Sequence, residues 1–273
     1  MKSRIAVAGC TGKMGKMLIR TIVEQSDMVL SGVLESEKHL AIGVDPLQEM
    51  GLRSDLKITA DVEQVVQNSD VLVDFTRPEA TRLHLLACQK TGTALVIGTT
   101  GLTEADHQLL REVSALIPVF WAPNMSVGVH VVLELLKTAT QLLGEGFDVE
   151  IVEAHHRHKV DSPSGTALKM GQVIAQAKGL DLHKVGRFDR HGITGPRTNH
   201  EIGFATIRGG DVIGDHTVNF LGMGERVEIT HKASSRQTFA AGAIRASRFL
   251  VKQPPGLYGM LDLLGAEHKI DSP

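Results

Sequence analysis

The segment from Glu153 to Ala167, E-A-H-H-R-H-K-V-D-S-P-S-G-T-A, concentrates the residues of this chain best suited to chemistry. His155, His156, Arg157, His158 and Lys159 are cationic or can donate a proton. They lie just ahead of Ser164, Gly165 and Thr166, where a helix is expected to begin. An imidazole or an ammonium can deliver a proton, and the N–H groups of a helix start, aided by its dipole, can hold an anion. The combination suits a small dianionic molecule that must be both held and protonated. Arg157 and His158 sit on a polar loop and are expected simply to be solvated. His155 and His156, each as often structural as functional at a strand end, gain weight from their company with Lys159 and Ser164-Gly165-Thr166. Zinc or nickel is the competing reading, because histidines at i, i+1 and i+3 can supply imidazoles. The chain has no H-E-x-x-H to accompany them, so no metal is expected.

A second set of residues reads as a nucleotide site. Ile5 to Ala8 looks like a strand, and Gly9-Cys10-Thr11-Gly12-Lys13-Met14-Gly15 leads from it into an apparent helix. The spacing is G-x-x-G-x-x-G rather than the common G-x-G-x-x-G, and a glycine triplet alone is only a tight turn. Its context is that of a dinucleotide fingerprint: strand before, helix after, and Glu35 at the end of the second strand to accept hydrogen bonds from a ribose. Three further strand ends carry small polar loops, Phe75-Thr76-Arg77-Pro78, Gly98-Thr99-Thr100-Gly101 and Ala122-Pro123-Asn124-Met125-Ser126. In an open α/β sheet such loops line the crevice at the carboxyl ends of the strands, so they are expected beneath a nicotinamide, between two domains.

The elements that must carry these groups follow from the hydrophobic pattern. Short apolar runs at 5–8, 29–34, 57–59, 71–75, 94–97 and 119–121 alternate with helical stretches, which argues for a doubly wound parallel sheet with crossover helices. Pro78 at a first helical position, Thr103 with Asp106 as a capping box, and Ser126 and Gly144 bounding a long helix agree with this. Beyond 126 the pattern changes. Runs at 148–155, 201–208, 212–221 and 226–231 read as a mostly antiparallel sheet, with hairpin turns at Gly209-Gly210-Asp211 and Gly222-Met223-Gly224. The expected organisation is a Rossmann-like dinucleotide domain over 1–126, rejoined by an amphipathic helix within 236–273, and an α+β substrate-binding domain over 127–235. Residues 179–199 are polar enough for a mobile loop.

Composition narrows the class. The 273 residues carry 29 Lys and Arg against 31 Asp and Glu, a net charge of −2, with one Trp and one Tyr, which disfavours a nucleic-acid surface. Cys10 and Cys88 make no C-x-x-C and suit a reducing compartment. The apolar run at the N-terminus is too short for a signal peptide, and no stretch approaches a membrane span, so a cytoplasmic location is expected.

Taken together, these motifs resemble those of the dihydrodipicolinate (4-hydroxy-tetrahydrodipicolinate) reductases of bacterial diaminopimelate and lysine biosynthesis. The resemblance spans the chain, and the Glu153 to Ala167 segment is its most specific part. It implies reduction of a cyclic dicarboxylate by NADH or NADPH with loss of water, and a homotetramer formed through the second domain's sheet. It also implies His155 as an acid, Lys159 as a proton donor, and His156, Ser164, Gly165 and Thr166 as substrate contacts. One departure bears on the cofactor: family members that favour NADPH often have Arg after the ribose-binding acid, where this chain has Ser36. Lys13, Lys38 and His39 remain available to a 2′-phosphate, and NADH use is expected to be at least comparable. A non-catalytic NAD(P) redox sensor, a reductase of another small cyclic imine, and, least favoured, a metal hydrolase are the alternative readings.

Overall fold

The structure is a computed structural model that describes residues 2–265. The described residues divide into two compact units, one formed by residues 2–126 together with 236–265, the other by Val127–Ser235.

In the first unit β1 (Ser3–Ala8), β2 (Met28–Leu34), β3 (Val71–Asp74), β4 (Ala94–Ile97), β5 (Pro118–Trp121) and β11 (Gly256–Tyr258) form a parallel sheet in the order β11-β5-β4-β3-β1-β2. The central strands are buried on both faces, as a parallel sheet with helices on each side requires. Helices α2 (Val62–Gln67), α3 (Pro78–Thr91) and α4 (Glu104–Ser114) contribute Val65, Leu85, Cys88, Leu110 and Val113 to one core cluster. α1 (Lys13–Val23) packs with α8 (Gln237–Leu250), joined by Gln237 to Thr21 and by Arg248 to Gln25 and Asp27. α9 (Met260–Leu264) follows β11. Pro78 opens α3, and the Thr103–Asp106 capping box opens α4, where Arg82 clamps the same Asp106. Strand order reverses between β1 and β3, so their C-terminal loops flank the crevice where such sheets bind ligands.

The second unit holds α5 (Val127–Leu143), β6 (Asp148–His155), α6 (Gly165–Ala177), α7 (Leu182–Val185), β7 (Gly186–Arg187), β8 (Ile202–Arg208), β9 (Gly214–Leu221) and β10 (Arg226–Ala233). Its sheet runs β10-β9-β6-β8-β7. Val129, Leu136, Met170 and Ile174 of α5 and α6 pack on Val149, Ile151, Phe204, Val218 and Phe220.

The fold class is the one expected from the pattern, with local differences. Residues 57–59 make a single bridge, Thr59 to Leu34, instead of a strand. β11 has no counterpart in the expected elements, because three residues after a Pro-Pro pair show no periodicity. The second sheet is mixed: β9 is antiparallel to β6 and β10, whereas β6 and β7 run parallel to β8. Gly209-Gly210-Asp211 therefore does not close a hairpin, since β6 lies between β8 and β9. The 179–199 segment is tied down: Arg190 pairs with Glu150 and Glu201, and Arg197 with Asp148 and Glu150.

Candidate active site

In the second unit the site is built on the buried face of β6. Strict alternation along Asp148–His155 puts Val149, Ile151, Glu153 and His155 on that face. Two apolar residues thus give way to a carboxylate and an imidazole as the strand reaches its end. Glu153 is 1% exposed. Its Oε2 is 2.6 Å from His155 Nδ1, and Arg208 on β8 donates to both carboxylate oxygens at 2.8 Å. Oε1 also accepts from Ser164 N at 3.1 Å and Thr206 Oγ1 at 3.2 Å. Burial alone would raise the Glu153 pKa, but the hydrogen bonds from Arg208 and His155 and their charge outweigh it and lower it to about 2. An ionised Glu153 receives the Nδ1 proton of His155, which leaves Nε2 as the ring's exchanging nitrogen. An added Cβ on Gly214 would lie 3.0 Å from that Nε2, so the glycine keeps space beside it.

The turn after β6 holds Lys159, whose ammonium meets both Asp161 oxygens at 2.7 and 2.9 Å. The bond from Lys159 is the main reason the Asp161 pKa is lowered. Arg208 also donates to the Asp161 carbonyl at 2.7 Å, so a single guanidinium joins this turn to Glu153. His156 anchors the same turn through its backbone N–H to Val212 O. Ser164 caps α6 by accepting from Ala167 N at 3.2 Å, Gly165 and Thr166 open the helix, and Ser164 Oγ is 3.0 Å from His216 Nε2. Burial, with His155 nearby, lowers the His216 pKa from 6.5 to about 4.

In the first unit the glycine loop follows β1. Gly9 has φ +67°, a conformation that favours glycine, and an added Cβ on Gly15 would lie 2.2 Å from Gly9 O. That contact sets α1 hard against the loop. Gly12 caps α1 without a side-chain hydrogen bond, and the first turn carries no acid, so the helix start suits an anion. Glu35 accepts from Thr11 N and Oγ1 at 3.3 and 2.7 Å and from Ser36 N at 2.9 Å. Beside it lies a cavity of about 650 Å³ whose lining includes Cys10, Thr11, Lys13, Lys16 and Arg20. Asp74, fully buried at the end of β3, joins the other loops: it accepts from Thr76 N and Oγ1, meets His84 Nδ1 at 2.8 Å, and reaches Thr99 Oγ1 at 3.5 Å. Thr99 also accepts from Thr81 at 2.9 Å. Phe75 packs so closely on Gly98 that a Cβ there would lie 2.2 Å from the ring. Arg77 and Thr100 are exposed, Ala122 and Met125 are buried, and Asn124 Oδ1 receives Ser126 N at 2.9 Å. These residues fit a dinucleotide: a backbone cradle for the pyrophosphate, a fixed carboxylate for a ribose, and small loops at successive strand ends. Among the described residues no cluster of His, Cys, Asp and Glu is arranged to hold a metal ion.

A model of dihydrodipicolinate reductase, N-terminus, matches residues 3–125, and one of dihydrodipicolinate reductase, C-terminus, matches residues 128–264. The chain belongs to the dihydrodipicolinate reductase family. It is similar to curated 4-hydroxy-tetrahydrodipicolinate reductases from Cupriavidus metallidurans, at 50% identity over 96% of this chain and 99% of that protein, and from Nitrosomonas europaea, at 52% over 96% and 97%. Among solved structures, a dipicolinate-bound dihydrodipicolinate reductase from Paenisporosarcina sp. TG-14 is similar at TM-score 0.74 and 26% identity, over 96% of this chain and 99% of that one. Diaminopimelate dehydrogenase from Corynebacterium glutamicum shares the fold at TM-score 0.53 and 16% identity.

In this family member His155, Ser164, Gly165 and Lys159 all lie around the junction of β6 and α6. Glu153, Asp161, Arg208 and His216 are functional candidates that the sequence motifs alone do not single out. Period-two alternation already placed Glu153 on the face of His155, and it placed His216 on the buried face of β9 with Val218 and Phe220. Arg208 was hidden by the hairpin expectation, which pairs β8 with β9 instead of with β6.

Proposed function

We propose that this chain is a 4-hydroxy-tetrahydrodipicolinate reductase, reducing its cyclic dicarboxylate substrate to tetrahydrodipicolinate with release of water in diaminopimelate and lysine biosynthesis. The observation that carries the reading is the Glu153–His155 pair, clamped by Arg208 beside the Ser164 cap of α6, in a chain about half identical to curated reductases along its length. NADH or NADPH, when bound, supplies a hydride. The chain's own residues bind, orient and move protons. Ser164 and the Gly165 end of α6 take one substrate carboxylate, with His156 and Thr166 as further contacts. Lys159 has three donors and gives two contacts to Asp161, which orients the side chain toward the ring nitrogen, where electrons accumulate after hydride addition. His155, with Nδ1 tied to Glu153, uses Nε2 as the acid that restores the imine.

In the first unit the loop 9–15 and Glu35 receive the dinucleotide, and Arg77, Gly98, Thr99, Thr100 and 122–125 lie along the nicotinamide. Glu35 is ionised, its pKa lowered against burial by the Thr11 and Ser36 hydrogen bonds, and Lys16 is already paired with Glu49 at 2.5 Å. A 2′-phosphate would meet that fixed negative charge, and the residue after Glu35 is Ser36 instead of an arginine, which supports NADH use at least comparable to NADPH. Two buried free thiols are compatible with a cytoplasmic enzyme. No helix among the described residues is long and apolar enough to cross a membrane.

The test is the loss of reduced-nicotinamide absorbance with freshly generated 4-hydroxy-tetrahydrodipicolinate, with NADH and NADPH in parallel. Substrate-dependent oxidation is expected with both. Cofactor binding without oxidation would overturn the reading, and a kcat/KM for NADPH more than about tenfold above that for NADH would overturn the cofactor assignment.

A further inference from the structure

His216 is a buried titratable group to which the proposed reaction gives no task. It is 4% exposed, and the edge-to-face contact of its ring with His155 has a centroid distance of 5.0 Å. Its Nε2 lies 3.0 Å from Ser164 Oγ, and its Nδ1 is buried with no hydrogen-bond partner among the described residues. Burial keeps the ring neutral down to about pH 4, so one nitrogen carries the proton and the other does not.

Two proton arrangements fit the contact. With the proton on Nδ1, Ser164 would donate to the bare Nε2. That would bury an N–H with nothing to receive it, and would turn the hydroxyl's only proton inward. With the proton on Nε2, the ring donates to Ser164 Oγ and the buried Nδ1 is a bare lone pair. Orphaned buried N–H groups are rare in folded proteins, so the second arrangement is favoured. Ser164 Oγ already accepts from Ala167 N, and these two contacts are the ones it makes among the described residues. A serine hydroxyl has one donor and two acceptor sites. Once both acceptor sites are filled, its proton must point to an acceptor outside this network.

We propose that His216 is a positioning residue whose Nε2–H fixes the Ser164 hydroxyl as an outward donor to a carboxylate of the substrate. The proposal rests on the reading of Ser164 as a substrate contact. The opposite tautomer would present a serine lone pair to the same carboxylate, replacing a charge-assisted hydrogen bond with a repulsion. Placing the orienting group on β9 also keeps it out of the proton transfers assigned to His155 and Lys159.

The experiment compares Ser164→Ala, His216→Ala, His216→Gln and the double alanine variant. Dipicolinate, the dicarboxylate bound to the Paenisporosarcina enzyme, is titrated calorimetrically in the presence of cofactor, and substrate KM and kcat are measured alongside. Ser164→Ala is expected to weaken dipicolinate binding about tenfold to a hundredfold, the range for a hydrogen bond to a charged group, and His216→Ala about tenfold. The double variant should bind within about twofold of Ser164→Ala, because both changes remove one interaction. Substrate KM should rise with kcat nearly unchanged. His216→Gln, whose amide nitrogen donates at the same reach, should recover most of the binding. Nitrogen-labelled histidine NMR of the unmodified protein should show the His216 proton on Nε2, a result independent of whether any variant folds. A proton on Nδ1, unchanged binding in both His216 variants, or losses that multiply in the double variant would each overturn the proposal. Unchanged binding in Ser164→Ala would instead remove Ser164 from the substrate site, and the orientation role would fall with it.

Discussion

Glu153 makes more connections than its short side chain suggests. One carboxylate receives His155 from its own strand, Thr206 and Arg208 from β8, and the Ser164 N–H at the start of α6. Glu153→Gln keeps the volume but exchanges one acceptor oxygen for an amide NH2 donor facing a guanidinium. Breaking a buried pair in this way leaves Arg208 without its counter-charge and His155 without a fixed tautomer. We expect kcat to fall on the order of a hundredfold, with cofactor KM little changed, in steady-state assays. A fall of less than about threefold would reduce Glu153 to a structural role. The pH dependence of stability should separate two residues of this cluster. The folded Glu153 carboxyl titrates at about 2 against 4.5 unperturbed, so its contribution is present above about pH 4.5 and is lost as the pH falls through about 2. His216 behaves differently: the unfolded chain takes up its proton near 6.5, the folded chain near 4, so the unfolded state binds more protons between them. Stability should therefore fall as the pH drops from 6.5 to 4, and His216→Gln should flatten that part of a denaturation series.

At the scale of elements, the site depends on how loops are fixed to strand ends. Gly15 is the tightest example, since its missing Cβ lets α1 approach the backbone of Gly9 and Cys10. No flexible side chain lies in the way to yield, so Gly15→Ala must displace the helix start from the loop. The expected result is a rise of tenfold or more in KM for NADH and NADPH with substrate binding retained, because only the cradle moves. Asp74 fixes the loops after β3 and β4. Asp74→Asn leaves His84 and Thr76 facing an amide in a buried site and should cost about 3 kcal/mol in chemical denaturation, together with weaker cofactor binding. Much of this was legible in the sequence. The glycine spacing, the strand before it and Glu35 after it are local signals, and the first unit's sheet is assembled from successive crossovers. The second unit's polar cluster was less legible because its register is non-local. Arg208 and His216 lie 55 and 63 positions beyond Glu153, and they meet it only because β6 inserts between β8 and β9. Short-range turn chemistry at Gly209-Gly210 points to the wrong neighbour, and so hides the strand that supplies Arg208 to the Glu153 face.

At the scale of the whole molecule, the second unit's sheet has a face turned away from α5 and α6. Alternation assigns Val152 of β6, Ala205 and Ile207 of β8 and Leu221 of β9 to that face, and Ile207 is 55% exposed. Thr217 and Thr230 hydrogen-bond across it at 3.0 Å. Glu150, Asn219 and Glu228 share this face, with Glu150 already held by Arg190 and Arg197, and the apolar and hydroxyl side chains beside them can pack against a second copy; the family resemblance implies a homotetramer formed through this sheet. Light scattering at micromolar concentration should then give a mass near four times the 29.5 kDa chain. Ile207→Glu places a charge on this face near the end of β8, opposite Ala154, and on the side of the sheet away from Glu153 and His155. It should shift the mass to smaller species while the chain keeps its folded circular-dichroism spectrum, because a desolvated, unpaired carboxylate costs more than the small apolar contact it replaces. A wild-type protein that sediments as a single chain would overturn the tetramer that the resemblance implies, and an unchanged mass for Ile207→Glu would move the expected interface to another surface.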